Sequence, residues 1–265
     1  MLTHPLDPYL RPETLPTPFC PGCGCGIVAS AFLRAARELG HSDLSGFVFV
    51  SGIGCSSWIP SPHFKADSIH ILHGRSIPTA MGVKAVRPEL EVVVFGGDGD
   101  LASIGLGHLV HAARRNLEVL VIMVNNMVYG MTGGQLAPTT PRGAVTATSP
   151  YGNPESPIDM VRTLAAAGAS YVARGCVAYP RHLEKLMLEA LQAGGFRFVE
   201  AVSTCTTHFQ LMLGTKSPVE ALKKLRELVE FRDVMQGPRE GRLPLGSWRP
   251  PGRRPGFVES LRGLR

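Results

Sequence analysis

Three cysteines fall within six positions in PTPFCPGCGCG, residues 16–26: Cys20, Cys23 and Cys25. Thiols this close in a glycine-rich turn bind zinc, pair as a disulfide, act as a redox dithiol, or hold an iron–sulfur cluster. A second chemical stretch is GGDGDLASIGLG, residues 96–107. Its glycines permit close backbone approach, and the free N–H groups of a following helix favour an anion such as phosphate. An acidic side chain beside a phosphate is unfavourable unless a cation lies between, and Mg²⁺ with its oxygen ligands is the usual solution. Asn126 follows Asp98 by 28 residues, about one βαβ unit, so adjacent parallel strands bring Asp98 and one of Asn125 and Asn126 side by side. GDG alone is a common turn; GDG at a strand end with NN one crossover later is far more specific.

These residues need elements to position them. The chain has 265 residues, 44% hydrophobic, enough for one large domain with an appendage. Its net charge of +6 rests on the last stretch, where Arg239, Arg242, Arg249, Arg253, Arg254, Arg262 and Arg265 cluster. Without them the chain is near neutral, and no basic face suits a nucleic acid. No charged leader precedes an apolar run at the start, and the longest apolar stretch, VLVIMV at 119–124, is too short for a membrane span. A cytoplasmic protein with no membrane partner is expected. In that reducing setting clustered cysteines are metal-binding or catalytic more often than disulfide-bonded.

Short apolar runs at 47–50, 91–97, 119–126, 170–175 and 196–203 read as strands. Stretches at 27–40, 101–115, 157–168, 180–195 and 217–231 carry helical periodicity, as does one from Ile77 to before Arg87. Alternation of this kind predicts an α/β fold with a mostly parallel, doubly wound sheet. In such sheets ligands bind beyond the carboxyl ends of the strands. SGIGCSS, GDGD, NN and TCTTH each follow a strand, so they converge on one edge. The expected organisation is an irregular arm over 1–19, one cofactor-binding domain over 20–232, and an extended basic tail over 233–265.

Cys176, in RGCVAYP, has no polar company and reads as a small core residue. Cys20, Cys23, Cys55 and Cys205 can meet at the sheet edge. Four thiolates suit Zn²⁺ or a [4Fe–4S] cluster, and spacing does not separate the two. A neighbouring site whose chemistry releases electrons would: a cluster accepts them singly, and zinc, which has no redox chemistry, does not.

GDG followed by NN is similar to the thiamine diphosphate signature. CPGCG, SGIGCSS, HGRSIPTAMGVK, GGDGDLASIG, NNMVYGMTGGQLAPTT and CTTH, in that order over about residues 16–230, resemble the thiamine-diphosphate-binding β subunit of the 2-oxoacid:ferredoxin oxidoreductases. The resemblance implies that Asp98, Asn126 and the backbone carbonyl of Val128 hold Mg²⁺. It implies one [4Fe–4S] cluster on Cys20, Cys23, Cys55 and Cys205. Ile53, Gly54, Cys55, Ser56, His73, Gly99, Asp100 and Gly130 then lie against the cofactor, Gly99 and Asp100 through backbone groups on the diphosphate, with His73 as the catalytic candidate. The implied reaction converts a 2-oxo acid, coenzyme A and oxidised ferredoxin to acyl-CoA, CO₂ and reduced ferredoxin. The glutamate that activates the aminopyrimidine comes, by the same resemblance, from an α subunit, so this chain is active only with its partner.

Two departures matter. Cys25 is an extra thiol that competes with Cys23 as a ligand. Gly133 stands where some relatives carry a substrate-binding lysine, and the YGMTGGQ form is closer to members acting on 2-oxoglutarate or branched-chain 2-oxo acids. Two other readings remain open: a cluster-free thiamine decarboxylase or carboligase with a structural zinc, and a non-catalytic zinc-binding subunit.

Overall fold

The computed structural model describes residues 4–264, so the first three residues of the arm and Arg265 of the tail lie outside it. In chain order the main elements are α1 (Gly24–Glu38), β1 (Phe47–Ser51), β2 (Asp67–His70), α2 (Ser76–Val86), β3 (Glu91–Gly97), α3 (Leu106–Arg115) and β4 (Val119–Asn125). A small hairpin follows, β5 (Val128–Tyr129) with β6 (Gln135–Leu136). The second half adds α4 (Met160–Ala166), β7 (Tyr171–Cys176), α5 (Pro180–Gln192) and β8 (Arg197–Val202). The chain ends through α6 (Phe209–Leu213), α7 (Pro218–Glu227), β9 (Val229–Phe231), β10 (Leu243–Trp248) and α8 (Phe257–Arg262).

Eight strands form one sheet in the order β2-β1-β3-β4-β8-β7-β10-β9. From β2 to β7 every pairing is parallel, as the alternation predicts. All seven residues of β4 are buried, as expected of a central strand covered on both faces. On one face Phe32 of α1 packs edge-on against Phe49 and Phe95; on the other, Leu109 of α3 and Leu164 of α4 join Val92, Val121 and Met123. Among the described residues no helix is long and apolar enough to cross a membrane.

The connection from β1 runs to one side and the next crosses back, so the strand order reverses between β1 and β3. That reversal opens a crevice at the carboxyl ends of these two strands, the expected ligand position in an open α/β sheet. Residues 52–58 and 98–100 flank it.

Three expectations change. The helix foreseen over 101–115 is split: Asp100–Ile104 form one wide π turn, closed by the bond from Gly105 N–H to the Asp100 carbonyl at 3.0 Å, before α3 begins. The amphipathic run 217–231 is helical only to Glu227, and Val229–Phe231 pair with β10. Most of all, the basic stretch 233–265 is no extended tail. β10 enters the main sheet antiparallel to β7, and α8 follows it. Arg254 spends its guanidinium on the carbonyls of Gly168 and Arg114, and Asn116 Nδ2 reaches the carbonyls of Arg254 and Pro255. The Glu118 carboxylate accepts the Val258 and Glu259 N–H groups at the start of α8. The arm over 4–19 is irregular apart from two short 3₁₀ turns, yet Leu6 and Tyr9 are buried in the core.

Candidate active site

β3 delivers Asp98 into the crevice. Its side chain is 1% exposed, and Oδ2 accepts a hydrogen bond from Thr139 Oγ1 at 2.5 Å. Burial pushes the Asp98 carboxyl up to about 7, against the opposing pull of the Thr139 hydroxyl and nearby backbone. A buried carboxylate so poorly compensated suits a divalent cation as its missing counter-charge. β4, paired beside β3, ends at Asn125. Asn126 Oδ1 accepts the Val128 N–H at 3.1 Å, and Met127 between them has φ +65°. Asp98, Asn126 and Val128 line one cavity together with Ile53, Gly54, Cys55, Ser56, His73, Gly99, Asp100 and Gly130. The cofactor residues named from the sequence are thus gathered in one place, with oxygen donors of the type Mg²⁺ takes. Gly99 is needed for space: a Cβ there would lie 2.4 Å from the Tyr129 ring, whose hydroxyl donates to the Gly99 carbonyl at 3.1 Å.

Asp100, expected to offer backbone, contributes its side chain as well. Oδ1 accepts from Gly74 N–H at 2.6 Å and from Ile53 N–H at 3.4 Å, and stands 2.9 Å from His73 Nδ1. One buried carboxylate therefore ties the loops after β1, β2 and β3. Burial raises its pKa; the Gly74 amide and His73 oppose that.

The four cysteines expected to share a metal line a second cavity: Cys20, Cys23, Cys55 and Cys205, with Phe19, Trp58 and Met131 beside them. They ring it without closing on a point; among the described residues no three His, Cys, Asp or Glu side chains sit close enough to hold one ion. The meeting of Cys20 with Cys205 has a local cause. Gly24 N–H donates to the Thr204 carbonyl at 3.4 Å, and Thr204 Oγ1 donates to the Gly22 carbonyl at 3.1 Å, so the CPGCG loop is tied to the end of β8. Burial and the neighbouring thiols Cys23, Cys205 and Cys20 push the Cys55 thiol up to about 11. Cys25 is buried and faces the first cavity. Its thiol hydrogen-bonds Cys23, drawing the Cys23 pKa down to about 7 while its own is raised well above the usual range. Cys176 is buried apart from these, its thiol pushed to about 12 by burial.

The two cavities share a wall: Cys55, Asn126, Gly130 and Met131 line both. An acceptor seated among the thiols would be separated from a ligand beside Asp98 by single side chains. Sequence reasoning missed Thr139, Tyr129 and the side-chain role of Asp100. Thr139 lies inside APTT, Asp100 inside GDGD and Tyr129 at the head of YGMTGGQ, so all three were within the motifs.

A family model described as thiamine pyrophosphate enzyme, C-terminal TPP binding domain, matches residues 52–201. The chain is 43% identical over 265 residues to the 2-oxoglutarate synthase subunit KorB of Methanocaldococcus jannaschii, covering 98% of this chain and 97% of that one. It is 42% identical over 193 residues to the 2-oxoacid:ferredoxin oxidoreductase subunit beta of Saccharolobus solfataricus, covering 72% and 62%. Among solved structures, the 2-oxoglutarate:ferredoxin oxidoreductase from Magnetococcus marinus, with 2-oxoglutarate, coenzyme A and succinyl-CoA bound, superposes with a TM-score of 0.88 at 33% identity, over 100% of this chain and 91% of that one.

Proposed function

The chain belongs to the thiamine pyrophosphate enzymes, and within them to the β subunits of the 2-oxoacid:ferredoxin oxidoreductases; on that premise we propose that it carries both thiamine diphosphate–Mg²⁺ and a [4Fe–4S] cluster and acts on 2-oxoglutarate. The reaction is 2-oxo acid plus coenzyme A plus two oxidised ferredoxins, giving acyl-CoA, CO₂, a proton and two reduced ferredoxins. The observation that carries the reading is the shared wall: Cys55 belongs to the thiol-lined cavity and to the cavity of Asp98 and Asn126 at once.

Thiamine diphosphate, when bound, supplies the electron sink that lets CO₂ leave a 2-oxo acid. The chain's own residues do the rest. Asp98, Asn126 and the Val128 carbonyl hold the metal. The backbone of Gly99 and Asp100, at the start of the π turn, meets the diphosphate. Ile53 to Ser56 and Gly130, which line the same cavity, would lie against the cofactor, and His73, beside Asp100, would hold or move a proton at Nε2. Cys20, Cys23, Cys55 and Cys205 hold the cluster; thiols ringing a cavity suit a four-iron cube better than one tetrahedral zinc. Relatives named for 2-oxoglutarate, and a structural neighbour holding it, support that substrate.

No glutamate lines the first cavity among the described residues, and its mouth carries the exposed apolar side chains Ile53 and Met131, with Leu72 and Ile104 also exposed. An α subunit that covers this patch and brings the activating glutamate fits both facts. A reducing cytoplasm, where the thiols stay free for iron, is part of the same reading.

Anaerobic co-expression with the α subunit tests it. The expected complex is brown, holds about four irons per β chain on these cysteines, retains thiamine diphosphate, and forms succinyl-CoA from 2-oxoglutarate. Alanine at Cys20, Cys23, Cys55 or Cys205 removes the iron, whereas alanine at Cys176 does not. No acyl-CoA from any 2-oxo acid overturns the function. Iron that persists in all four variants, or resides on another subunit, overturns the cluster assignment.

A further inference from the structure

β7 and β8 are buried central strands, yet each carries a charge at the same level: Arg174 and Glu200 are register partners, 1% and 2% exposed. Glu200 Oε2 accepts from Arg174 Nε at 2.8 Å, and Arg174 Nη2 donates to Asp159 Oδ1 at 2.6 Å. The other oxygen, Glu200 Oε1, accepts from Asn125 Nδ2 at 2.6 Å. Asn125 Oδ1 in turn accepts the Met127 N–H at 3.1 Å. Met127 holds φ +65°, which L side chains with a long chain rarely adopt. From the far side Thr140 Oγ1 donates to the Met127 carbonyl at 2.5 Å, and Asn153 Nδ2 fixes the Thr140 carbonyl at 2.9 Å.

A buried ion pair adds little stability over apolar side chains of the same shape, so its place here asks for another role. We propose that Arg174 and Glu200 are positioning residues for the metal turn. Arg174 clamps Glu200, Glu200 orients the Asn125 carboxamide, and Asn125 holds Met127 left-handed. Met127 is the residue between Asn126 and Val128, so the chain fixes both of those at the cavity. Outer groups of this kind orient the ligands that touch a metal, and their loss typically weakens binding 10–100-fold. The inference rests on the Mg²⁺ reading above and extends it to residues that touch neither metal nor cofactor.

The test uses the intact complex with the α subunit, stripped of metal and thiamine diphosphate by a chelator. Mg²⁺ is titrated at saturating thiamine diphosphate, and Mn²⁺ is used in parallel for its electron paramagnetic resonance signature. Arg174→Met/Glu200→Leu removes both charges and the Asn125 anchor. Its expected result is a folded complex with apparent Mg²⁺ affinity about 10–100-fold weaker and an altered Mn²⁺ spectrum. Arg174→Met/Glu200→Gln keeps an acceptor for Asn125 but lacks the clamp, and is expected to bind Mg²⁺ more tightly than the leucine variant and more weakly than wild type, a partial rescue that mere core repair does not produce. Asn125→Ala is expected to match the leucine variant, and it carries the test if that variant does not fold. Wild-type Mg²⁺ affinity in the leucine variant or in Asn125→Ala overturns the brace alone. A wild-type complex that binds thiamine diphosphate with no need of divalent metal overturns the metal reading and the brace with it.

Discussion

His73 Nδ1 stands 2.9 Å from Asp100 Oδ1, and that oxygen already accepts the Gly74 N–H at 2.6 Å. The imidazole contact is off the line of a straight hydrogen bond, and His73 Nδ1 has no well-aimed partner. Such contacts commonly tighten when ligand closes the site. Asp100→Asn keeps an oxygen for Gly74 but removes the charge that favours Nδ1–H. The expected outcome is a kcat lower by about 100-fold with a KM for the 2-oxo acid close to wild type. If Asp100 acts through His73, combining this change with His73→Ala costs no more than the worse single variant. Additive losses in steady-state kinetics would sink that coupling.

Asp98 illustrates a conflict between stability and binding. Its carboxylate is buried, desolvated and met by the Thr139 hydroxyl. Without a metal it is a poorly compensated charge. Asp98→Asn retains a partner for Thr139 and removes the charge. The cofactor-free complex is therefore expected to gain about 1 kcal/mol, a rise in Tm of roughly 2–4 °C. Mg²⁺-dependent retention of thiamine diphosphate should vanish at the same time. A scanning melt and a cofactor assay on the purified complex check both halves; a lower Tm contradicts the charge argument.

His63 anchors the N-terminal arm. It is buried, its Nδ1 lies 3.1 Å from Thr14 Oγ1, and Phe19 packs edge-on to its ring at 6.0 Å. Burial lowers its pKa below the ordinary value of 6.5. The folded chain then binds fewer protons than the unfolded one in the window below 6.5, so stability from this group is complete above that pH and falls as pH drops through the window. Protection factors over residues 4–19, with the intrinsic pH dependence of amide exchange removed, should be higher at pH 7.5 than at pH 5. His63→Gln should flatten that difference, and an arm equally protected at both pH values would contradict the account.

Much of this arrangement was legible in the chain because it is written locally. Val92–Val94 and Val119–Val124 announce buried parallel strands, and the fold class follows from their alternation with helices. The catalytic rim was legible for the same reason: each polar motif follows its strand directly, and parallel strands put all such ends together. What was hidden depends on distant partners. Pro, Gly and Arg after residue 237 read as a loose tail, because nothing local reveals that Arg254 finds the carbonyls of Gly168 and Arg114 or that Glu118 meets α8. Val229–Phe231 were absorbed into a helical pattern because their β10 partner lies more than ten residues on. Arg174 and Glu200 are 26 residues apart in two separate apolar runs; only the β7–β8 register makes them a pair.

Gly24 and Gly26 offer a controlled comparison within the cysteine loop. Both belong to α1; Gly24 lies between Cys23 and Cys25, and Gly26 follows Cys25. A Cβ on Gly24 would lie 2.0 Å from Ser203 Oγ and 3.1 Å from Val177, whereas nothing stands within 4 Å of a Cβ on Gly26. Ser203 is fully buried at the end of β8, two residues from Cys205, so it has little room to yield. Gly24→Ala must therefore push the CPGCG loop away from β8, widening the gap between Cys23 and Cys205 while the distant sheet stays folded. Gly26→Ala adds a methyl group in open space and relieves a helix of a glycine, a gain of up to about 1 kcal/mol. The expected result is loss of iron with a modest fall in Tm for the first, and full iron with an equal or higher Tm for the second. Iron assay and melting of the two complexes side by side decide it: equal iron in both would mean that the contact between this loop and β8 does not set the thiol cage.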